Sequence, residues 1–83
     1  MPSIMKGDNI MFDVYFSYFD GNEYLCKNVN RIVVRTPSGI KEISGDDLLS
    51  YAFKFNSELN LYSDCVCYAL SCNNLKALEI RKH

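Results

Sequence analysis

Ile10-Met11-Phe12-Asp13-Val14-Tyr15-Phe16-Ser17-Tyr18-Phe19-Asp20-Gly21 is the stretch on which the fold turns. Successive side chains of an extended strand point to opposite faces. Ile10, Phe12, Val14, Phe16 and Tyr18 therefore share one face, with Met11, Asp13, Tyr15, Ser17 and Phe19 on the other. Aromatic and β-branched residues suit a pleated surface, which strengthens the strand assignment. Asp20-Gly21 then predicts a two-residue type I′ hairpin turn, because Asp tolerates positive φ and Gly adopts it freely.

The same rhythm continues on the C-terminal side. Glu23-Tyr24-Leu25-Cys26-Lys27 reads as the return strand and Asn28-Val29-Asn30 as a bend. Arg31–Thr36 reads as a third strand with Ile32 and Val34 inward. Pro37-Ser38-Gly39 is a turn and Ile40–Ile43 a fourth strand. Ser44-Gly45-Asp46-Asp47 interrupts the alternation. Ser44 is expected to cap a short helix running to Ser50, with two carboxylates at its positive end. Tyr51-Ala52-Phe53-Lys54-Phe55 alternates again and predicts extended chain. Glu58–Ser63, Cys65–Leu70 and Leu75–Arg81 complete the strand set, the last with Leu78 and Ile80 inward. Six to seven short strands and one short helix predict a mainly β, β-rich α+β fold, a small antiparallel barrel or sandwich. Residues 1–9 show no period and are expected to form a flexible N-terminal arm ahead of a single domain over 10–83.

Composition narrows the function classes. An 83-residue chain buries only roughly 60–65% of its unfolded surface, enough for one modest core. An apolar share of 48% with 23% charged residues is globular composition and argues against disorder. Nine Lys and Arg against ten Asp and Glu leave a net charge of −1, without the single-sign field that nucleic-acid binders use. No apolar run approaches the ~20 residues of a membrane span, and the N-terminus carries no long apolar stretch of the kind that directs export. The expectation is a cytoplasmic protein without membrane contact.

The residues that could carry chemistry are few. The single histidine, His83, ends the sequence, where a side chain is expected to be solvated rather than held for proton transfer. No glycine-rich phosphate loop is present, and Asp46-Asp47 is accounted for by helix-start electrostatics. The chain is accordingly expected not to be an enzyme. Cys65 and Cys67 would share one face of a strand, and Cys26 and Cys72 would complete four sulfurs for a metal. The paired two-residue knuckles of structural zinc sites are missing, however. The four thiols are read as small core residues of a reducing compartment, and no cofactor is expected.

Two surface features invite a binding role. Arg31 and Arg35 share a strand face, and Lys27, Lys41 and either Tyr15 or Tyr24 could extend it into a platform for single-stranded nucleic acid. Asp13, Glu23 and Glu42 are available as cross-strand partners, so nucleic acid ranks last among the readings. Six Tyr and five Phe exceed what one small core hides, leaving Tyr15, Phe19, Tyr51, Phe53, Phe55 and Tyr62 as partly exposed candidates. Tyr is a favoured interface anchor, and free strand edges pair with partners or with another copy. The candidate partner-binding set is Tyr15, Tyr51, Phe53, Tyr62, Arg31 and Arg35.

Residues with AT-rich codons (Phe, Tyr, Met, Ile, Asn, Lys) outnumber those with GC-rich ones (Gly, Ala, Arg, Pro). Together with Ile43-Ser44-Gly45-Asp46-Asp47-Leu48-Leu49, Leu59-Asn60-Leu61-Tyr62-Ser63 and Leu75-Lys76-Ala77-Leu78-Glu79-Ile80, the chain resembles small proteins of low-G+C bacteria and their phages. Such phage proteins include inhibitors of host defence, anti-CRISPR proteins among them, that occupy a surface of a larger target. The resemblance implies a non-enzymatic protein–protein interaction module that inhibits a host defence enzyme or nuclease complex, and it assigns no residue a role. The alternatives are a small-ligand or cysteine-metal binder, then a single-stranded nucleic-acid binder.

Overall fold

The computed structural model describes residues 10–54 and 56–83. The expected arm over 1–9 and Phe55 lie outside the described residues. The strands are β1 (Phe12–Tyr18), β2 (Glu23–Val29), β3 (Arg31–Thr36), β4 (Gly39–Ser44), β5 (Glu58–Tyr62), β6 (Cys67–Ser71) and β7 (Leu75–Lys82). They form two antiparallel sheets, a three-stranded one ordered β2-β1-β7 and a four-stranded one ordered β4-β3-β5-β6. Among the described residues no strand pairing joins the two, so of the two expected architectures the fold is the sandwich and not the closed barrel.

β1 is the middle strand of its sheet, and the face read from its alternation is the one that packs. Phe12, Val14 and Phe16 are each wholly buried. From the facing sheet, Ile32, Val34, Leu59 and Leu61 meet them, and Ile43 and Leu48 extend the same core. Tyr18, at the end of the inward row, donates its hydroxyl to the Ser71 carbonyl at 2.6 Å, tying the end of β1 to the end of β6 across the sandwich.

Four local expectations are corrected. The first hairpin closes through a three-residue loop: Gly21 N–H donates to Tyr18 O at 3.0 Å and Tyr18 N–H to Asn22 O at 2.9 Å. Only Gly21 takes positive φ, at 95°. Asp20 instead uses its carboxylate to accept the Asn22 N–H at 2.9 Å, so its contribution is a side-chain bond and not a left-handed backbone. Second, Asn28-Val29 continues β2. Asn28 takes φ 58° where the register with β1 shifts between Phe12 and Val14. This irregularity turns Val29 into the core, where it is fully buried.

Third, the helix is a 3₁₀ turn over Gly45–Leu49, and the Ser44 side chain makes no capping hydrogen bond. Ser44 is still the last residue of β4, paired with Arg31, so its extended backbone fits a cap but its hydroxyl is not aimed at the turn. Fourth, residues 51–54 form no strand. Tyr51 and Phe53 alternate because they pack sideways against the core edge, which imitates the period of a strand without a neighbour to pair with.

Phe16→Ala removes a wholly buried ring from the middle of the middle strand and should cost about 3–5 kcal/mol. Against a typical total of ~5–15 kcal/mol, most of it in larger domains, that leaves a largely unfolded chain. Urea denaturation followed by far-UV circular dichroism should show the midpoint collapse, whereas Tyr15→Ala on the opposite face of β1 should move it little.

Candidate functional site

The sandwich is covered unevenly, and the exposed side is where a site is built. Among the described residues β7 lies at the edge of its sheet, hydrogen-bonded to β1 on one side only. Its inward residues Leu78 and Ile80 pair in register with Phe16 and Val14, yet both remain only half-buried. Beside this edge runs the chain from Gly45 to Asn56, which crosses from the end of β4 to the start of β5. A trough of about 980 Å³ opens between them.

One wall is Leu75, Leu78 and Ile80; Leu48, Leu49, Tyr51 and Phe53 form the other. Tyr51 and Phe53 sit edge to face with ring centroids 4.9 Å apart, which fixes both rings against each other. Among the described residues Lys54 and Lys76 are the only charged ones in the lining, and neither forms an ion pair there. The trough is tied at both ends. Lys82 Nζ meets Asp46 Oδ1 at 2.8 Å; at the far end Cys72 N–H donates to Ser57 O at 2.9 Å and Ser57 N–H to Lys54 O at 3.2 Å.

The remaining candidate residues lie on other surfaces. Arg31 and Tyr62 face each other on the outer side of the four-stranded sheet, the guanidinium 4.1 Å from the ring centroid. Arg31 also pairs with Glu42 at 3.3 Å. Arg35 donates from Nε to Asn60 Oδ1 at 2.9 Å and has Glu58 opposite it on β5. Lys27 belongs to the other sheet beside Asp13, and Lys41 shares the inward face of β4 with Ile43, its ammonium 5.8 Å from the Tyr51 ring. The expected basic platform is thus divided over both sheets, and its arginines are already engaged. Tyr15 lies in a separate shallow depression on the outer face of the three-stranded sheet, with Asp13, Leu25, Glu79 and Arg81.

The thiols do not converge. Cys26 and Cys72 are buried in the core, whereas Cys65 and Cys67 are exposed around the start of β6. Among the described residues no group of three or more metal-ligating side chains forms. Burial pushes the Cys26 thiol up to about 11 and the Cys72 thiol upward as well. In both cases burial favours the neutral thiol over the thiolate.

His83 is better held than its terminal position implies. Its N–H donates to Met11 O at 3.1 Å, and its Nε2 lies 2.8 Å from Asp13 Oδ1. The His83 hydrogen bond, followed by the Asn28 N–H and the Lys27 charge, holds the Asp13 carboxyl below its usual range against the opposing effect of burial. No serine, threonine or cysteine lines the depression beside this pair. The pair clasps the start of β1 to the end of β7. No protein-family model, no curated protein and no solved structure matches the chain. No helix among the described residues is long and apolar enough to cross a membrane.

Of the six partner-binding candidates, then, Tyr51 and Phe53 meet in one concave site, Arg31 and Tyr62 in a flat pair, and Tyr15 and Arg35 stand apart. The other trough residues escaped sequence reading. Alternation marks Leu78 and Ile80 as inward, but nothing local announces that β7 is an edge strand with its inward side incompletely roofed.

Two outcomes follow. A thiol reagent such as Ellman's should label Cys65 and Cys67 in the native protein and reach Cys26 and Cys72 only on unfolding; four equally fast thiols would contradict the burial. Asp13 has a folded pKa below its unfolded value, so it stabilises the fold above about pH 4 and loses that contribution as pH falls through the folded value. Asp13→Asn should therefore lower the urea midpoint at pH 7, with the difference from the parent chain closing as the pH falls through the lowered folded value.

Proposed function

We propose that this chain is a non-enzymatic protein-interaction module whose binding surface is the trough between β7 and residues 45–56. One observation carries the reading: a large apolar concavity runs alongside a strand edge that has no backbone partner among the described residues. An extended segment laid along that edge gains main-chain hydrogen bonds, and its alternate side chains reach the apolar walls. The aromatic pair Tyr51 and Phe53 supplies rigid anchors of the kind that dominate interface energies. No constellation for proton transfer or nucleophilic attack accompanies the trough, which supports binding over turnover. That the target is a host defence enzyme or nuclease complex is supported by the resemblance alone.

A second reading is favoured by the two lysines. A concavity of this volume suits a small molecule, and a lining whose charges among the described residues are Lys54 and Lys76 suits one with an apolar body and an anionic group. Native mass spectrometry of freshly purified protein separates the readings, since a retained organic acid would support the small-ligand one.

Panning a displayed peptide library on the immobilised protein should select segments with apolar residues at alternate positions. Tyr51→Ala or Phe53→Ala should weaken the selected peptides at least tenfold with the circular dichroism spectrum preserved. Equal binding by well-folded variants would remove the trough as the surface.

A further inference from the structure

The occupant of the β7 edge is open to a closer argument, which rests on the proposed interaction function. Among the described residues four strands lie at sheet edges, and they differ in fitness for pairing. β2 is bent by the left-handed Asn28 and its register shift; β4 and β6 run only six and five residues. β7 runs eight residues, and its register with β1 is regular from Ala77 to Lys82.

The ladder fixes which groups β7 offers. His83 N–H donates to Met11 O, so in an antiparallel pair the odd-numbered residues of β7 bond to β1 and the even-numbered ones point outward. Leu78, Ile80 and Lys82 therefore present N–H and C=O groups to the free side. The outward face of the sheet carries Ala77, Glu79 and Arg81, and Arg81 lies 2.6 Å from Glu79 within the same strand.

Two copies of β7 related by a two-fold axis normal to the sheet must pair residues of the same face, which leaves three central registers. An axis at Leu78 sets Glu79 against Ala77 of the second copy, and both Arg81 side chains find no acid across the seam. An axis at Glu79 sets the two Glu79 carboxylates against each other and Lys76 against Lys82, a repulsion at each pair. An axis at Ile80 sets Glu79 against Arg81 twice over. That contact is a non-hydrogen-bonded pair, where Cα atoms approach to about 4.5 Å and side chains interact most closely. In this register Leu78, Ile80 and Lys82 exchange the free main-chain groups. The inward Leu78 and Ile80 of the second copy also fall on the side of Leu49, Tyr51 and Phe53.

We infer that the chain forms a two-fold symmetric dimer through antiparallel β7 pairing centred on Ile80, in which reciprocal Glu79–Arg81 pairs set the register and each copy's strand roofs the other's trough. The contact is self-complementary and closes on itself, so it yields a dimer and not a fibre. The two edges most exposed to further pairing are consumed in forming it.

Light scattering after size exclusion, over a concentration series of the full chain, should give twice the 9.5 kDa of one copy. Glu79→Arg makes all four facing side chains cationic and Arg81→Glu makes them all anionic, so each alone should give a monomer with an unchanged circular dichroism spectrum. The double variant E79R/R81E should restore the dimer. Lys82→Pro removes an outward N–H that β1 does not use and should loosen the dimer at least tenfold, whereas Lys82→Ala, which loses the same ion pair to Asp46 but keeps the N–H, should not; both should retain the fold. A monomeric parent chain, a dimer indifferent to the single reversals, or a double variant that stays monomeric would overturn the inference. A monomer that still binds selected peptides through Tyr51 would leave the interaction function standing with a different occupant.

Discussion

The inward face of β1 is the constraint from which the rest of the molecule follows. Phe12, Val14 and Phe16 are wholly buried in the middle strand of a three-stranded sheet, and each needs apolar atoms on every side. β2 and β7 supply the flanks through Cys26, Val29, Leu78 and Ile80, while β3 and β5 supply the opposite wall. A one-residue slip of β1 would place Asp13, Tyr15 and Ser17 in that space, so its register is strongly specified. With the row fixed, the chain passes between the sheets at two short corners, Asn30 between β2 and β3 and residues 72–74 between β6 and β7.

Much of this was legible in the sequence because strand alternation is a local signal. The shared face of Phe12, Val14 and Phe16 and the inward sets Ile32/Val34 and Leu78/Ile80 read correctly from period two. What did not read correctly shared a different cause. Asp20-Gly21 matches the two-residue hairpin pattern, yet a three-residue loop uses the same Gly for its positive φ and the same Asp as an acceptor. Tyr51 and Phe53 alternate like strand residues but pair with no strand. Val29 hides between two asparagines, and only a register shift in its partner strand explains why it is buried. Sandwich and barrel could not be separated either, because which edges meet is a property of distant pairings that period does not encode.

The candidate site was legible by half. Tyr51 and Phe53 stand out as surplus aromatics beyond what a small core hides. Their counterpart wall on β7 does not stand out, since Leu75, Leu78 and Ile80 look like ordinary inward residues. Their incomplete burial arises because the three-stranded sheet stops at β7 while the chain from Gly45 to Asn56 extends past it. The same comparison explains the fate of the basic residues. Arg31 and Arg35 share a face as read, but Glu42, Tyr62 and Asn60 occupy them. An exposed strand face is inexpensive to neutralise in this way, and engaged guanidinium groups offer little to a nucleic-acid backbone.

The placement of β7 beside β1 also bears on how the chain reaches its fold. β1–β2, β3–β4 and β5–β6 are neighbours in sequence and pair by local hairpins. β1 and β7 are separated by the whole of the intervening sandwich, so their union closes the longest loop in the domain and carries its largest closure entropy. During synthesis β1 emerges early and β7 last of the seven strands. Until then a strand bearing three large apolar side chains has one flank unzipped, making the nascent chain, more than the finished protein, the form most in need of a chaperone.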